Sequence, residues 1–147
     1  MITNSVIAPI HLNALSVSNV SFSVIDDSAD DMELQLEINY ETQEPANNGS
    51  DGTYALRAKL DLTASLAAHG SPEDAKLKSS ITVLAEVSMA SSYFQSDEEA
   101  RNHLATNALS MSYSHARSTL MTIAGMTPAK GFMLPPIIPS AIKPQKQ

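Results

Sequence analysis

Alternation of apolar and polar residues over the first two thirds of the chain is the feature that most restricts its fold. Every second residue is apolar in segment 32–41, and the same period recurs in segments 54–68 and 76–94. A period of two places one side of a strand in a core and the other in water. The pattern therefore predicts three half-buried β-strands.

A further strand is predicted at residues 14–25, and its apolar pattern changes phase in the middle. Leu15 and Val17 share one phase, whereas the next three apolar residues share the other. Those three residues are Val20, Phe22 and Val24. One additional residue near Ser18–Asn19, forming a β-bulge, would bring both sets onto one face.

Short polar connections separate the four predicted strands. Segments 26–31, 43–52 and 69–74 are rich in Asp, Asn, Gly and Pro, which favour turns. Sequential strands that are joined by short turns pair with their neighbours in an antiparallel sheet. We therefore expect a four-stranded antiparallel β-meander.

After Ser96 the period changes from two to that of a helix. Ser96 followed by Glu99 is typical of a capping box, and Gly125 is a plausible end. An amphipathic stripe follows at spacings of four and three, and it consists of Leu109, Tyr113, Ala116, Leu120 and Ile123. A second apolar line through Leu104, Ala108 and Met111 gives the helix two apolar sides. We expect one side to cover the sheet and the helix to mediate self-association, with the stripe from Leu109 to Ile123 as the oligomer contact.

The C-terminal segment is apolar and rich in proline. Pro135, Pro136 and Pro139 exclude a helix in segment 131–139, so an extended strap over apolar surface is expected. The fold class is thus α+β: the four-stranded meander, one long helix and a Pro-rich strap. Residues 1–142 are expected to form one domain, and residues 143–147 a disordered tail.

Charge and composition limit the classes of partner. Sixteen acidic residues against nine basic ones give a net charge of −7. Nucleic acid and anionic membranes are therefore poor partners, since both require excess Lys and Arg. Nine of the acids lie between Asp26 and Asp51, which is consistent with either a solvated edge or a docking surface for a basic partner. There is neither a long apolar run nor a basic N-terminal segment, so a cytoplasmic protein without membrane insertion is expected.

The sequence contains no recognisable catalytic equipment. It has no cysteine, and its four histidines form no metal-ligand motif. Glycine-rich phosphate loops, EF-hand spacing and a nucleophile elbow are also missing from the sequence. We therefore predict a protein that is not an enzyme, with no catalytic residues, no bound metal and no cofactor.

Three groups of residues, which begin at Asn19, Leu84 and Tyr113, resemble motifs of the SecB protein-export chaperones and their SecB-like relatives. The segment Asn19-Val20-Ser21-Phe22 is similar to the first-strand motif of that family, and Leu84-Ala85-Glu86-Val87 with Tyr93-Phe94 is similar to its fourth strand and aromatic end. Tyr113-Ser114-His115-Ala116-Arg117, followed by segment 131–137, is similar to the helix motif and the later Pro-Pro element. The resemblance covers most of the chain, from residue 17 to residue 142.

The resemblance implies an ATP-independent holdase that binds unfolded polypeptides in apolar grooves. It also implies a dimer of dimers that buries the long helices. The groove residues carried over by position are Val83, Leu84, Tyr93, Phe94, Phe132 and Leu134. Glu86 is carried over as an acid that would dock the export motor SecA.

This chain departs from the family at the motor-docking positions of the first strand. Asn19 and Ser23 are neutral there, and the C-terminal lid helix of export members has no counterpart after the strap. Docking to SecA is therefore less expected than service to a dedicated client, such as the antitoxin of a toxin–antitoxin system. The alternative is a structural or adaptor oligomer, phage-encoded or chromosomal, that binds one folded partner through the same sheet.

Overall fold

The computed structural model describes residues 10–24, 32–68, 75–127 and 132–135. Its strands are β1 (His11–Val24), β2 (Met32–Gln43), β3 (Thr53–Ala68) and β4 (Ala75–Ala90). A short 3-10 turn at Ser91–Tyr93 then leads into the helix α1, Asp97–Gly125. The strands form one antiparallel sheet, and α1 packs on one of its faces, so the predicted α+β class is confirmed.

The strand order differs from the predicted meander. The order across the sheet is β1-β4-β3-β2, so only β2, β3 and β4 follow one another as a meander. Alternation determines which face is buried but not which strand is the neighbour. A connection such as 25–31, at about 3.3 Å per residue, is long enough to span the roughly 14 Å across three strand spacings. β1 can therefore pair with β4, in the order of a Greek key.

The predicted bulge in β1 is present. Val17 pairs with Val83 and Asn19 with Thr82, which leaves Ser18 as the extra residue. A second shift, which the sequence pattern did not predict, leaves Asn13 without a paired residue on β4. The side-chain amide of Asn13 donates a hydrogen bond of 3.1 Å to the hydroxyl of Ser88. These two shifts keep the apolar residues of β1 on the face that α1 covers.

The face of the sheet under α1, here called the inner face, carries the core. Apolar residues at odd-numbered positions of β4 are buried there, and so are apolar residues of β3 that pair with odd-numbered positions of β4, as the alternation predicts. They are Leu56, Ala58, Leu60, Leu62, Ala64, Leu66, Leu77, Ile81, Val83, Ala85, Val87 and Met89. The opposite, outer face carries their polar neighbours in the sequence.

Ser96 is the N-cap of α1, as predicted, but the return bond of Glu99 goes to Gln95 and not to Ser96. The hydroxyl of Ser96 accepts a 3.1 Å hydrogen bond from the backbone N–H of Glu99. The Glu99 carboxylate in turn accepts a 2.9 Å bond from the backbone N–H of Gln95. Three acidic residues occupy the first turn, where their negative charge interacts favourably with the positive end of the helix dipole. The helix ends at Gly125, as the sequence indicates.

Both apolar lines of α1 face the sheet. Leu109 and Tyr113 are at most 3% exposed, and Ala116, Leu120 and Ala108 are completely buried. Leu104 is buried as well, while Ile123 is half-buried. Met111 of the second line is half-buried too, so the sheet covers most of the arc that the two lines span. Leu109, Tyr113, Ala116 and Leu120, which were expected to meet a second copy, therefore belong to the core of the single chain.

From Asn102 onward, the exposed side of α1 is polar but uncharged. Its residues recur at every fourth position and are Asn102, Thr106, Ser110, Ser114, Ser118 and Thr122. A helix exposes one face at this spacing, so these residues form a continuous row along the helix.

The hydroxyl of Tyr40 connects β2 to the middle of α1. Tyr40 is 1% exposed, and its hydroxyl donates a 2.8 Å hydrogen bond to the backbone carbonyl of Ala105. Burial raises the pKa of Tyr40 above its ordinary value. The phenol therefore keeps its proton and remains a donor at neutral and mildly alkaline pH.

We expect Tyr40→Phe to lower the free energy of unfolding by about 1 kcal/mol at pH 7, because one hydrogen bond is lost. An unfolded tyrosine loses its proton near pH 10, whereas Tyr40 in the folded chain keeps it. The stability of the wild type should therefore fall above about pH 10, and the variant should lose less stability there. Urea unfolding at pH 8 and pH 11 measures both effects. Tyr93→Phe, at an exposed site, is the control, and an equal alkaline loss in both variants would contradict this assignment.

Candidate functional site

The helix leaves the two edge strands of the sheet partly uncovered. α1 packs mainly on β3 and β4 and makes few contacts with β1. The apolar inner-face residues of the edge strands therefore form two strips that flank α1. The β1 strip consists of Leu12, Leu15, Val17, Val20, Phe22 and Val24, and the β2 strip consists of Met32, Leu34, Leu36 and Ile38.

The β1 strip is the more exposed of the two. Leu12 is 45% exposed and Val20 is 42% exposed, while the remaining members of both strips are half-buried. Within the described residues β1 pairs only with β4 and β2 only with β3, so each keeps one side of its backbone unpaired. Unpaired backbone beside an apolar surface is what an added extended chain requires.

A short extended segment, Phe132 to Pro135, lies against α1 and the end of β1. These four residues are the described part of the predicted strap, and the name strap refers to them from here on; the other residues of segment 131–139 lie outside the described residues. Phe132 is 6% exposed and Leu134 is fully buried, whereas Met133 between them is 67% exposed. The ring of Phe132 meets that of Phe22 edge-to-face, with 5.4 Å between the ring centres. The strap therefore fills the cleft between α1 and the last part of the β1 strip.

Two side chains of α1 hold the strap by its backbone. The guanidinium of Arg117 donates a 2.6 Å hydrogen bond to the carbonyl of Leu134. The hydroxyl of Tyr113 donates to the carbonyl of Pro135. Burial raises the pKa of Tyr113, so its phenol remains a donor at neutral pH. Both donors bind carbonyl oxygens, which every residue has, so the contact does not depend on sequence.

Aromatic side chains meet at the other end of the sheet. Phe94 lies 5.8 Å from Tyr54 and 5.7 Å from His103, measured between ring centres. These three residues form the aromatic cluster. Its polar atoms are unequally satisfied: Tyr54 donates to the carboxylate of Asp97, which raises the pKa of Tyr54. The Nε2 atom of His103 is buried, and no partner for it occurs among the described residues.

The six predicted groove residues lie in separate places. Val83 is in the core on the inner face, and Leu84 is 40% exposed on the outer face. Phe94 belongs to the aromatic cluster, and Tyr93 beside it in the chain is 56% exposed. Phe132 and Leu134 belong to the strap.

The strap and the aromatic cluster are far apart along the sheet. Phe22 is paired with Ser79 and Tyr54 with Met89, so ten residues of β4 separate them. Ten strand residues span about 33 Å. The structure thus does not bring the predicted set together as one groove. In this conformation Val83 and Leu134 present no surface to a ligand.

The outer face carries a shallow groove of about 310 Å³ around Leu84. Charged side chains of both signs line it, among them Glu41, Arg57, Lys59 and Glu86. Glu86, the predicted docking acid, lies 3.9 Å from the guanidinium of Arg57. Because the positive charge of Arg57 balances the negative charge of Glu86, the groove does not present a surface of one charge sign.

Two other properties of the described residues concern metal binding and the membrane. Among the described residues, no group of His, Asp and Glu side chains is arranged to hold a metal ion. In the same part of the chain, α1 is not apolar enough to cross a membrane.

Comparison with known proteins bears on the fold. No family model matches the chain, and no curated protein matches it in sequence. Among solved structures it is similar to a SecB-like chaperone of Mycobacterium tuberculosis, in complex with a ChAD peptide from the HigA1 antitoxin. The TM-score is 0.58 at 11% sequence identity, over 86% of this chain and 88% of the other. The chain therefore has the SecB-like fold that the motif resemblance implies.

Several residues of these surfaces were missed at the level of sequence. Tyr54 and His103 are far from Phe94 in the chain, and nothing local marks them as its neighbours. Arg117 did carry a signal, since it is the only Lys or Arg between Asn102 and Thr127. An isolated cation on the uncharged part of a helix is a candidate for a specific acceptor, which here is the strap carbonyl.

Proposed function

We propose that this chain is an ATP-independent chaperone that holds non-native polypeptides along the apolar strips beside α1. The observation that carries the proposal is the uncovered inner face of the edge strands, with Leu12 and Val20 more than 40% exposed. Apolar patches of this kind mark surfaces that bind other chains. A SecB-like fold in a solved chaperone supports the same conclusion.

The strips suit an extended client. An unfolded segment that aligns with an edge strand can pair its backbone with the unpaired side and place alternate side chains on the apolar strip. Backbone pairing accepts any sequence, and each fully buried apolar side chain contributes about 1.5–3 kcal/mol. Affinity then depends on the number of apolar residues in the client and not on a motif.

A dedicated client is the finer form of the proposal. The SecB-like chaperone of similar fold was solved with a peptide from an antitoxin. The strips of this chain would fit a segment of one partner protein in extended form. We include a homo-oligomer and a cytoplasmic location in the proposal, with the uncharged row on α1 as the surface for a second copy. The offset charge of Glu86 argues against docking to an export motor such as SecA.

The proposal predicts that the chain suppresses aggregation of a denatured protein without nucleotide. A slowly refolding protein is diluted from denaturant, and light scattering is followed with and without the chain. Val20→Asp places a charge on the β1 strip and should weaken suppression at least tenfold. Asn19→Asp places the same charge one residue away, on the outer face, and should have no effect.

Two results would contradict the proposal. One is failure of the wild type to suppress aggregation at a severalfold molar excess. The other is equal activity of the Val20→Asp and Asn19→Asp variants, which would exclude the β1 strip. Binding of one native protein, with no competition from unfolded chains, would favour an adaptor. Sedimentation of both variants shows whether either change acts through the oligomeric state instead.

A further inference from the structure

The strap is bound to the rest of the chain as a peptide ligand is bound. Alternate side chains, Phe132 and Leu134, are buried, while Met133 between them and Pro135 after them are exposed. An extended segment that places every second side chain in a pocket has this pattern. The four residues belong to neither a helix nor a strand.

Side chains of α1 supply the polar contacts to the strap. Arg117 and Tyr113 lie about one helical turn apart, and they donate to the carbonyls of two successive residues, Leu134 and Pro135. Peptide-binding proteins recognise extended ligands through backbone groups and pockets for alternate side chains. The cleft between α1 and Phe22 has both features.

We propose that this cleft is a binding site for an extended segment with apolar residues at alternate positions, and that the strap is its resident ligand. An incoming client segment of the same pattern would displace the strap. This inference rests on the proposed chaperone function and adds a second site to the edge strips.

The covalent connection gives the strap an advantage over a free segment. A tethered ligand acts at an effective concentration of the order of 1 mM. A free segment of equal intrinsic affinity would therefore bind only near that concentration. The strap would exclude weakly apolar segments and would be displaced by segments with larger or more numerous apolar residues. It would thus set a minimum affinity that a client segment must have for the cleft.

Displacement of the strap can be followed directly with a label. The chain has no cysteine, and Met133 is 67% exposed, so Met133→Cys provides a unique site for a fluorophore without altering a buried contact. Addition of a synthetic peptide with the sequence of residues 131–136 should lower the fluorescence anisotropy of the label. Midpoint binding is expected near 1 mM, the effective concentration of the tethered strap. A peptide with serine in place of its Phe and Leu is the matched control and should have no effect.

Binding to the vacated cleft provides the second measurement. Leu134→Asp should release the strap and increase the affinity for the fluorescein-labelled peptide at least tenfold over the wild type. Arg117→Met in the same background should remove most of that gain, because a carbonyl donor is lost. Circular dichroism confirms that each variant is folded. If Leu134→Asp does not fold, the label at position 133 in the otherwise native chain still tests the inference.

The outcomes separate the inference from the proposed function. If denatured protein binds while the label at position 133 keeps its anisotropy and peptide affinity is unchanged in Leu134→Asp, the strap is a permanent part of the core. The chaperone function would then stand without this site. If denatured protein does not bind at all, the chaperone function itself fails. Loss of anisotropy with the native peptide but not with its serine control supports the inference.

Discussion

Leu120→Asp is expected to prevent the chain from folding. Leu120 is fully buried between α1 and the sheet. An unpaired carboxylate at such a position costs several kcal/mol, in addition to the lost apolar contacts, which cost about 2–5 kcal/mol when a buried leucine is removed. Domains of this size are stable by only about 5–15 kcal/mol. Circular dichroism and urea unfolding would show a chain that is largely unfolded without denaturant.

Ser118→Asp is the matched control for this prediction. Ser118 lies two residues earlier on the same helix, in the exposed uncharged row. The same charge there should leave the unfolding midpoint nearly unchanged, because the carboxylate remains in water. If α1 mediates self-association through this row, Ser118→Asp should shift the oligomer toward smaller species in sedimentation. A folded Leu120→Asp variant with altered oligomeric state would place the apolar stripe at an interface instead.

Much of the local structure could be predicted from the sequence. The period of two predicted which face of β2, β3 and β4 is buried, and the phase change between Val17 and Val20 indicated the bulge at Ser18. Ser96 and Glu99 located the start of α1. Each of these features depends on residues close together in the chain, which is why a local pattern can reveal them.

The features that depend on distant parts of the chain could not be predicted in this way. Alternation does not identify the neighbour of β1, so its pairing with β4 was not foreseen. Nor does a helical stripe show how wide the covering sheet is, and most residues of both apolar lines of α1 are buried against it. The aromatic cluster joins residues from three separate elements, and no local pattern relates Tyr54 to His103.

One part of the site prediction could have been corrected from the sequence itself. Val83 and Leu84 are adjacent in a strand, and adjacent strand residues point to opposite faces. They cannot both line one surface of a flat sheet. The resemblance transferred both positions together, whereas the alternation already separated them. A motif should therefore be checked against strand periodicity before its residues are assigned to a single groove.

Deletion of Ser18 is the second change for which we expect a large effect. Ser18 is the extra residue of the bulge, and it allows Val17 and Val20 to lie on the same face although their positions differ in phase. Without it, one half of β1 must turn its apolar side chains to the outer face. If the C-terminal half turns, the ring of Phe22 moves away from that of Phe132, and the strap loses this contact with the sheet.

The expected cost of this deletion is about 3–5 kcal/mol, comparable to truncation of a buried aromatic side chain. Ser18→Ala keeps the number of residues and should cost less than about 1 kcal/mol, since Ser18 is exposed. Urea unfolding compares the two variants directly. Equal midpoints would show that β1 accommodates the deletion by a change of register that keeps its apolar residues on the inner face. The deletion should also reduce the capture of denatured protein, because half of the β1 strip would then face away from α1. The bulge is thus required both for the packing of β1 and for the continuous apolar strip that we propose as the client surface.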